Sequence, residues 1–140
     1  MADYLSPYTG AQIDDVVGKV LGIDPASLDS DDKVTESQAS AKIVSLTAGR
    51  TLLLTDAGRC LEVDSATDVN ITIPPQSSVA FTDDTEIELI QFGAGQITVV
   101  AGSGVTLHSF LDSYVSAGQY AVLALKRLSS DVWILTGGTA

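Results

Sequence analysis

The chain of 140 residues holds one cysteine, Cys60, one histidine, His108, and one tryptophan, Trp133. A single thiol excludes an intrachain disulfide, and a thiolate metal cluster would need ligands from other chains. Bases are scarce: 7 Lys and Arg stand against 18 Asp and Glu, for a net charge of −11. No basic cluster is longer than Lys126-Arg127. Nucleic acids and anionic membranes draw their partners through phosphate contacts, so both are disfavoured here. Long apolar runs are missing too. Ala121-Val122-Leu123-Ala124-Leu125 is among the longest, whereas a membrane-spanning helix needs about 20 residues. The opening "MADYLSPYTG" has no basic region followed by an apolar stretch, so the expectation is synthesis and folding in a cytoplasm.

Against these absences stands a high apolar content. Hydrophobic residues make up 45% of the chain and charged residues 18%, and the mean hydropathy is +0.27. Such a composition argues against disorder, and the length suits one domain with a sizeable core. Apolar content without a membrane span also suggests burial between subunits. The acids punctuate turns, as in Asp29-Ser30-Asp31-Asp32 and Asp83-Asp84, where they read as solvated charge rather than paired catalytic carboxylates.

Two patterns divide the chain. In residues 9–22, "TGAQIDDVVGKVLG", the apolar residues Ile13, Val16, Val17, Val20 and Leu21 recur at helical spacing. Thr9 and Gln12 have the spacing of a capping box, and Gly22 suits a helix end. So short a helix needs a surface to lie on, which makes those five residues candidates for contact with a partner. Residues 23–41 are polar and read as a linker, so that residues 1–41 form an N-terminal arm. From about Lys42 to the end the pattern becomes short strands separated by turn residues. The runs "IVSLT", "TLLLT", "CLEVD", "VNITI", "TEIELIQF", "QITVVA", "VTLHS", "QYAVLALKR" and "VWILT" predict a β-domain over 42–140. Alternation puts Val69, Ile71 and Ile73 on one face, and Ile87, Leu89 and Gln91 on another. Strand–helix alternation is missing, which excludes a doubly wound sheet. No internal repeat stands out. The predicted fold is mainly β, an antiparallel β-sandwich or jelly-roll-like domain with a short N-terminal helical arm.

Chemistry-bearing motifs are few. Gly93-Ala94-Gly95 begins like a dinucleotide fingerprint, but the third glycine is replaced by Thr98 and a strand follows where a helix is required. We expect instead a hairpin turn joining two alternating runs, with positive φ supplied by glycine, and the same at the next corner, Gly102-Ser103-Gly104. The sequence contains no Gly-x-Ser-x-Gly elbow to pair His108 with Ser103, Ser109 or Cys60. Nitrogen and sulfur ligands are too few for a single-chain metal site, and three copies of His108 on an oligomer axis would be the remaining route to an ion. The expectation is no enzyme, no cofactor and no metal, with Trp133 in the core.

The ordered series "DAGRCLEVDSA", "ITIPPQSSVAF", "TEIELIQFGAGQITVVAGSGVTL", "GQYAVLALKR" and "WILTG" covers about residues 52–138. It resembles a β-domain of structural proteins in tailed bacteriophages, found in tail fibres, head fibres and capsid decoration proteins. The N-terminal "YTGAQIDDVVGKVL" is similar to a short helix in phage fibre proteins. The resemblance implies a virion structural role, usually as a homotrimer, and carries no catalytic residues. With one arm and one β-domain, the chain suits a trimeric capsid decoration or head-fibre protein, on the capsid surface rather than the tail. Its arm would attach to the major capsid protein or another virion protein. The alternative is a small tail fibre or spike that binds a host-surface glycan or receptor.

Overall fold

The structure, a computed structural model, describes residues 42–140. The expected helix with Ile13, Val16, Val17, Val20 and Leu21, and the linker after it, lie outside the described residues.

Nine strands form the domain: β1 (Ile43–Leu46), β2 (Arg50–Thr51), β3 (Cys60–Val63), β4 (Val69–Ile73), β5 (Glu86–Gln91), β6 (Ile97–Ala101), β7 (Thr106–Ser109), β8 (Val122–Ser129) and β9 (Val132–Gly137). They build a six-stranded sheet in the order β1-β3-β5-β8-β9-β7 and a three-stranded sheet in the order β2-β4-β6. The mainly β, two-sheet expectation therefore holds.

The expectation of antiparallel pairing does not. β1-β3, β3-β5, β2-β4, β4-β6 and β7-β9 run parallel, and only β5-β8 and β8-β9 run antiparallel. Alternation reports which face a side chain takes, and it is the same in both kinds of sheet. Direction is decided by the connection. Parallel neighbours need a long crossover. Among β1–β6 each crossover is itself a strand of the opposite sheet, whereas β7 and β9 are joined through residues 110–121 and β8 of their own sheet. The chain leaves the large sheet after β1, β3 and β5, adds a strand to the small sheet, and comes back.

The result is a stack of three turns of chain, with a repeat that the composition of each turn conceals. From the second turn to the third, every partner lies 28 residues further along: Cys60 faces Glu88, Leu61 faces Leu89, Val69 faces Ile97 and Ile71 faces Val99. The first turn is shorter, with Ile43 facing Cys60 and Arg50 facing Ile71.

The same spacing runs through the corners and explains Gly93 and Gly95. Neither has a positive φ, and β5 and β6 belong to different sheets, so the hairpin expectation is corrected. A Cβ on Gly93 would overlap the backbone of Ser65, and one on Gly95 the backbone of Thr67. The corner of one turn lies directly on the corner of the turn before it. Hydrogen bonds from Phe92 N and Gly93 N to Val63 O, and from Gly95 N to Ser65 O, at 2.9–3.0 Å, hold them there. Glycine at 93 and 95 serves close approach rather than backbone sign. At Gly102-Ser103-Gly104 the hairpin expectation fails as well, since β6 and β7 lie in different sheets, but Gly104, at φ 82°, does meet the positive-φ expectation.

Between the sheets the buried positions interdigitate: Leu61, Val63, Ile87, Leu89, Leu123 and Leu125 from the large sheet, and Val69, Ile71, Ile73, Ile97 and Val99 from the small one. Burial of side chains this size is worth roughly 1.5–3 kcal/mol each. Trp133 is in the core as expected, with Phe81 against it edge-on at 5.4 Å between ring centroids. Arg127 of β8, itself buried, donates to the Phe81 carbonyl and lies 3.4 Å from Asp83, which ties the loop before β5 to the antiparallel β8-β9 pair.

The run "TLLLT" is the other departure. Only Thr51 stays in a strand, and Leu54–Asp56 form a 3-10 turn. The Asp56 carboxylate is the cause. It accepts from Leu53 N at 2.8 Å and from both guanidinium NH groups of Arg50 at 2.7–2.8 Å. A local side-chain acceptor of this kind pulls the backbone out of the ladder. Leu52 is buried, while Leu53 and Leu54 face solvent.

Candidate functional site

The features that bear on function gather where the two sheets part company. β1, β3 and β5 have counterparts in the small sheet; β8, β9 and β7 extend the large sheet past β6. Residues 110–118 help to close this end. Val99 N donates to Tyr114 O and Ser116 N to Ile97 O, both at 2.9 Å, so this segment covers the free edge of β6. A buried polar network locks it. Ser116 Oγ donates to Gln91 Oε1 at 2.6 Å and accepts from Ile97 N at 2.8 Å, while Gln91 Nε2 donates to Gly93 O at 3.3 Å. Gln91, which alternation had placed facing inward, thus supports the glycine corner from inside.

The closure leaves an apolar recess of about 430 Å³, lined by Val99, Val100, Ala101, Val105, Leu107 and Tyr114. The Tyr114 hydroxyl donates to Leu107 O at 3.2 Å and lies 3.4 Å from Asp112 Oδ1. Partial burial, and after it the nearby Asp112 carboxylate, pushes the Tyr114 phenol above its ordinary pKa. Across β7 lies a second hollow of about 360 Å³, bounded by His108, Phe110, Ile134 and Thr136 among others. His108 faces Ile134 in the β7-β9 ladder.

Between these two hollows a short 3-10 turn, Phe110–Asp112, carries the most exposed large apolar side chains in the domain. Phe110 is 79% exposed and Leu111 82%. Leu111 and Asp112 both have left-handed φ values, 57° and 53°, a region that L-residues with a Cβ avoid.

A second apolar block occupies the outer face of the large sheet. Ile90 faces Val122 in the β5-β8 ladder. One step further, Phe92 and Tyr120 meet edge-on at 5.9 Å. Both rings are open to solvent, and the Tyr120 backbone is left-handed at φ 68°. Glu62, opposite Ile90 on β3, puts a carboxylate beside the block.

Cys60 lies on this outer face opposite Glu88 and is nearly covered. Burial, followed by the Glu88 and Glu62 charges, raises its thiol pKa, which favours the protonated thiol over the thiolate. Among the described residues no three His, Cys, Asp or Glu side chains gather as a metal site, and no helix is long and apolar enough to cross a membrane. What the surface offers is contact area: a projecting apolar turn, an apolar recess and an aromatic pair.

The arm residues singled out from the sequence lie outside the described residues, so these surface features are additions to them. One signal pointed to the turn: in "HSFLDSY" two large apolar residues stand together beyond the end of a strand. No family model matches the sequence, and no curated protein matches it.

Proposed function

We propose that the chain is a non-enzymatic structural protein of a tailed-bacteriophage virion, a homotrimeric capsid decoration or head-fibre protein held to the capsid by its N-terminal arm. The observation that carries this reading is the apolar surface left on a folded domain whose core is already filled. Phe110, Leu111, Phe92, Tyr120 and Val122 all stand in solvent, and exposed apolar surface of this kind marks interaction sites. The ordered motif series of residues 52–138 supports the phage assignment, and the helical spacing of Ile13, Val16, Val17, Val20 and Leu21 supports the arm as the attachment. Three arms on one trimer would give firm attachment from modest individual contacts.

Native mass measurement and light scattering of the purified chain test the oligomer. Three chains are expected at micromolar concentration, and a clean monomer overturns the reading. Deletion of residues 1–22 should leave the β-domain folded and abolish incorporation into particles; normal incorporation removes the arm's role.

The Phe92–Tyr120 pair favours a second reading, a small tail fibre or spike that binds a host-surface glycan. Aromatic rings beside a carboxylate suit sugar faces and hydroxyls. Labelling on intact particles separates the two: signal over the head supports decoration, and signal at the tail tip supports the fibre.

A further inference from the structure

We infer that the exposed Phe110–Leu111 turn of one copy seats in the apolar recess of Val99, Val105, Leu107 and Tyr114 on the next copy, head to tail. The contact presupposes the homotrimer proposed above and says which surfaces make it.

Three observations converge on it. First, projection and recess match in chemistry. The recess is lined by aliphatic side chains and one tyrosine, with no charged residue among them, and Phe110 and Leu111 are the most exposed large apolar side chains of the domain. At about 430 Å³ the recess lies at the lower end of the range of ligand pockets and has room for the two side chains.

Second, charge selects the occupant. The chain carries −11, so copies repel one another and associate only where apolar contact outweighs that repulsion. A basic partner would be drawn by carboxylates lining the recess; none does so, and the one beside it, Asp112, already lies 3.4 Å from the Tyr114 hydroxyl.

Third, placement selects the mode. Along β7, Leu107 lines the recess, whereas His108 and Phe110 border the hollow on the other side. Projection and recess thus belong to opposite sides of one edge strand. A twofold contact uses one self-complementary patch, whereas a projection and a recess on different sides suit a heterologous contact, the kind that closes rings. The turn that carries the projection takes left-handed backbone at Leu111 and Asp112.

Two variants of the full chain test this. Replacing Phe110→Ser together with Leu111→Ser removes the projection. Ala101→Phe, at an exposed position on the recess wall, fills the recess and leaves the projection intact. Each should raise the concentration at which trimers dissociate by at least about 100-fold in native mass and light-scattering titrations. Unchanged Trp133 fluorescence would show that each variant is folded. Added salt, by screening the repulsion, should tighten the wild-type trimer. If the wild type is trimeric and both folded variants are equally tight, this contact is overturned while the homotrimer stands. If the wild type is a monomer throughout, both fall.

Discussion

The stacked turns β1–β6 and the closing region, β7–β9 with residues 110–118, meet the same problem in opposite ways. In the stack, backbone lies on backbone. Corners at Gly93 and Gly95 leave no space for a methyl group, and inward positions of β3, β4 and β5 are filled by aliphatic residues or Gln91. In the closing region the chain departs from regular geometry. Leu111, Asp112, Tyr120 and Asp131 all take left-handed backbone despite having side chains, against Asp84 alone in the stack, and Phe110, Leu111 and Tyr120 are more exposed than any large apolar side chain of the stack. The stack is constrained from within by what touches it. The closing region holds shapes that its own interior does not require, which is where a contact surface is expected.

That contrast can be broken most severely at a corner. Gly95→Ala places a Cβ against the Thr67 backbone, where neither side has a flexible group to move. We expect a loss of about 4 kcal/mol or more, a large share of a small domain's stability, read by urea denaturation. A change below about 1 kcal/mol would show that the corners are loosely stacked. Next comes the core between the sheets: Ile71→Ala, fully buried, should cost about 2–4 kcal/mol by the same measurement.

Ser116→Ala tests the joint between the two regions. It leaves Gln91 Oε1 and Ile97 N–H without the partner they share, for an expected loss of about 1–3 kcal/mol. Amide exchange should quicken around residues 91–97 and 114–116. Smaller still, and opposite in direction, Leu111→Gly should leave stability unchanged or raise it by up to about 1 kcal/mol, since glycine accepts the left-handed backbone. At the exposed Phe110–Leu111 turn, then, losing a large apolar residue harms association and not folding, whereas at the corners of the stack gaining one methyl group harms folding.

The smallest effect concerns Cys60. Its thiol pKa is raised by burial and by Glu88 and Glu62, so the reactive thiolate is depleted at neutral pH. Labelling by a maleimide should be slower than for a free cysteine, and its rate should climb only at a pH above the ordinary thiol range. Unfolding in urea should restore normal labelling.

Much of the β-domain is legible residue by residue. The alternation of "VNITI" and "EIELIQ" identifies which side chains are buried, including Gln91. Trp133 between Val132 and Ile134 is the inward member of its strand. The run "TLLLT" misleads because three leucines promise a strand, whereas the bend comes from a buried Asp56 paired with Arg50 on the far side of the run. Of the candidate surfaces, the sequence shows the pair Phe110-Leu111 but not the recess. Val99, Val105, Leu107 and Tyr114 meet there only through folding.

The sequence by itself determined that this is a β-rich domain, which faces its strands bury and where its corners fall. Those properties follow from side-chain period and from residues with special backbone needs, both of which are local. Tertiary structure alone decided that the strands stack mainly in parallel, in turns offset by 28 residues from the second to the third. It also decided that Gly93 and Gly95 serve contact between turns, because a glycine required by a neighbouring backbone and one required by its own φ read the same in one dimension. Strand direction depends on where the connection travels, and that path is fixed only when the two sheets close over a shared core.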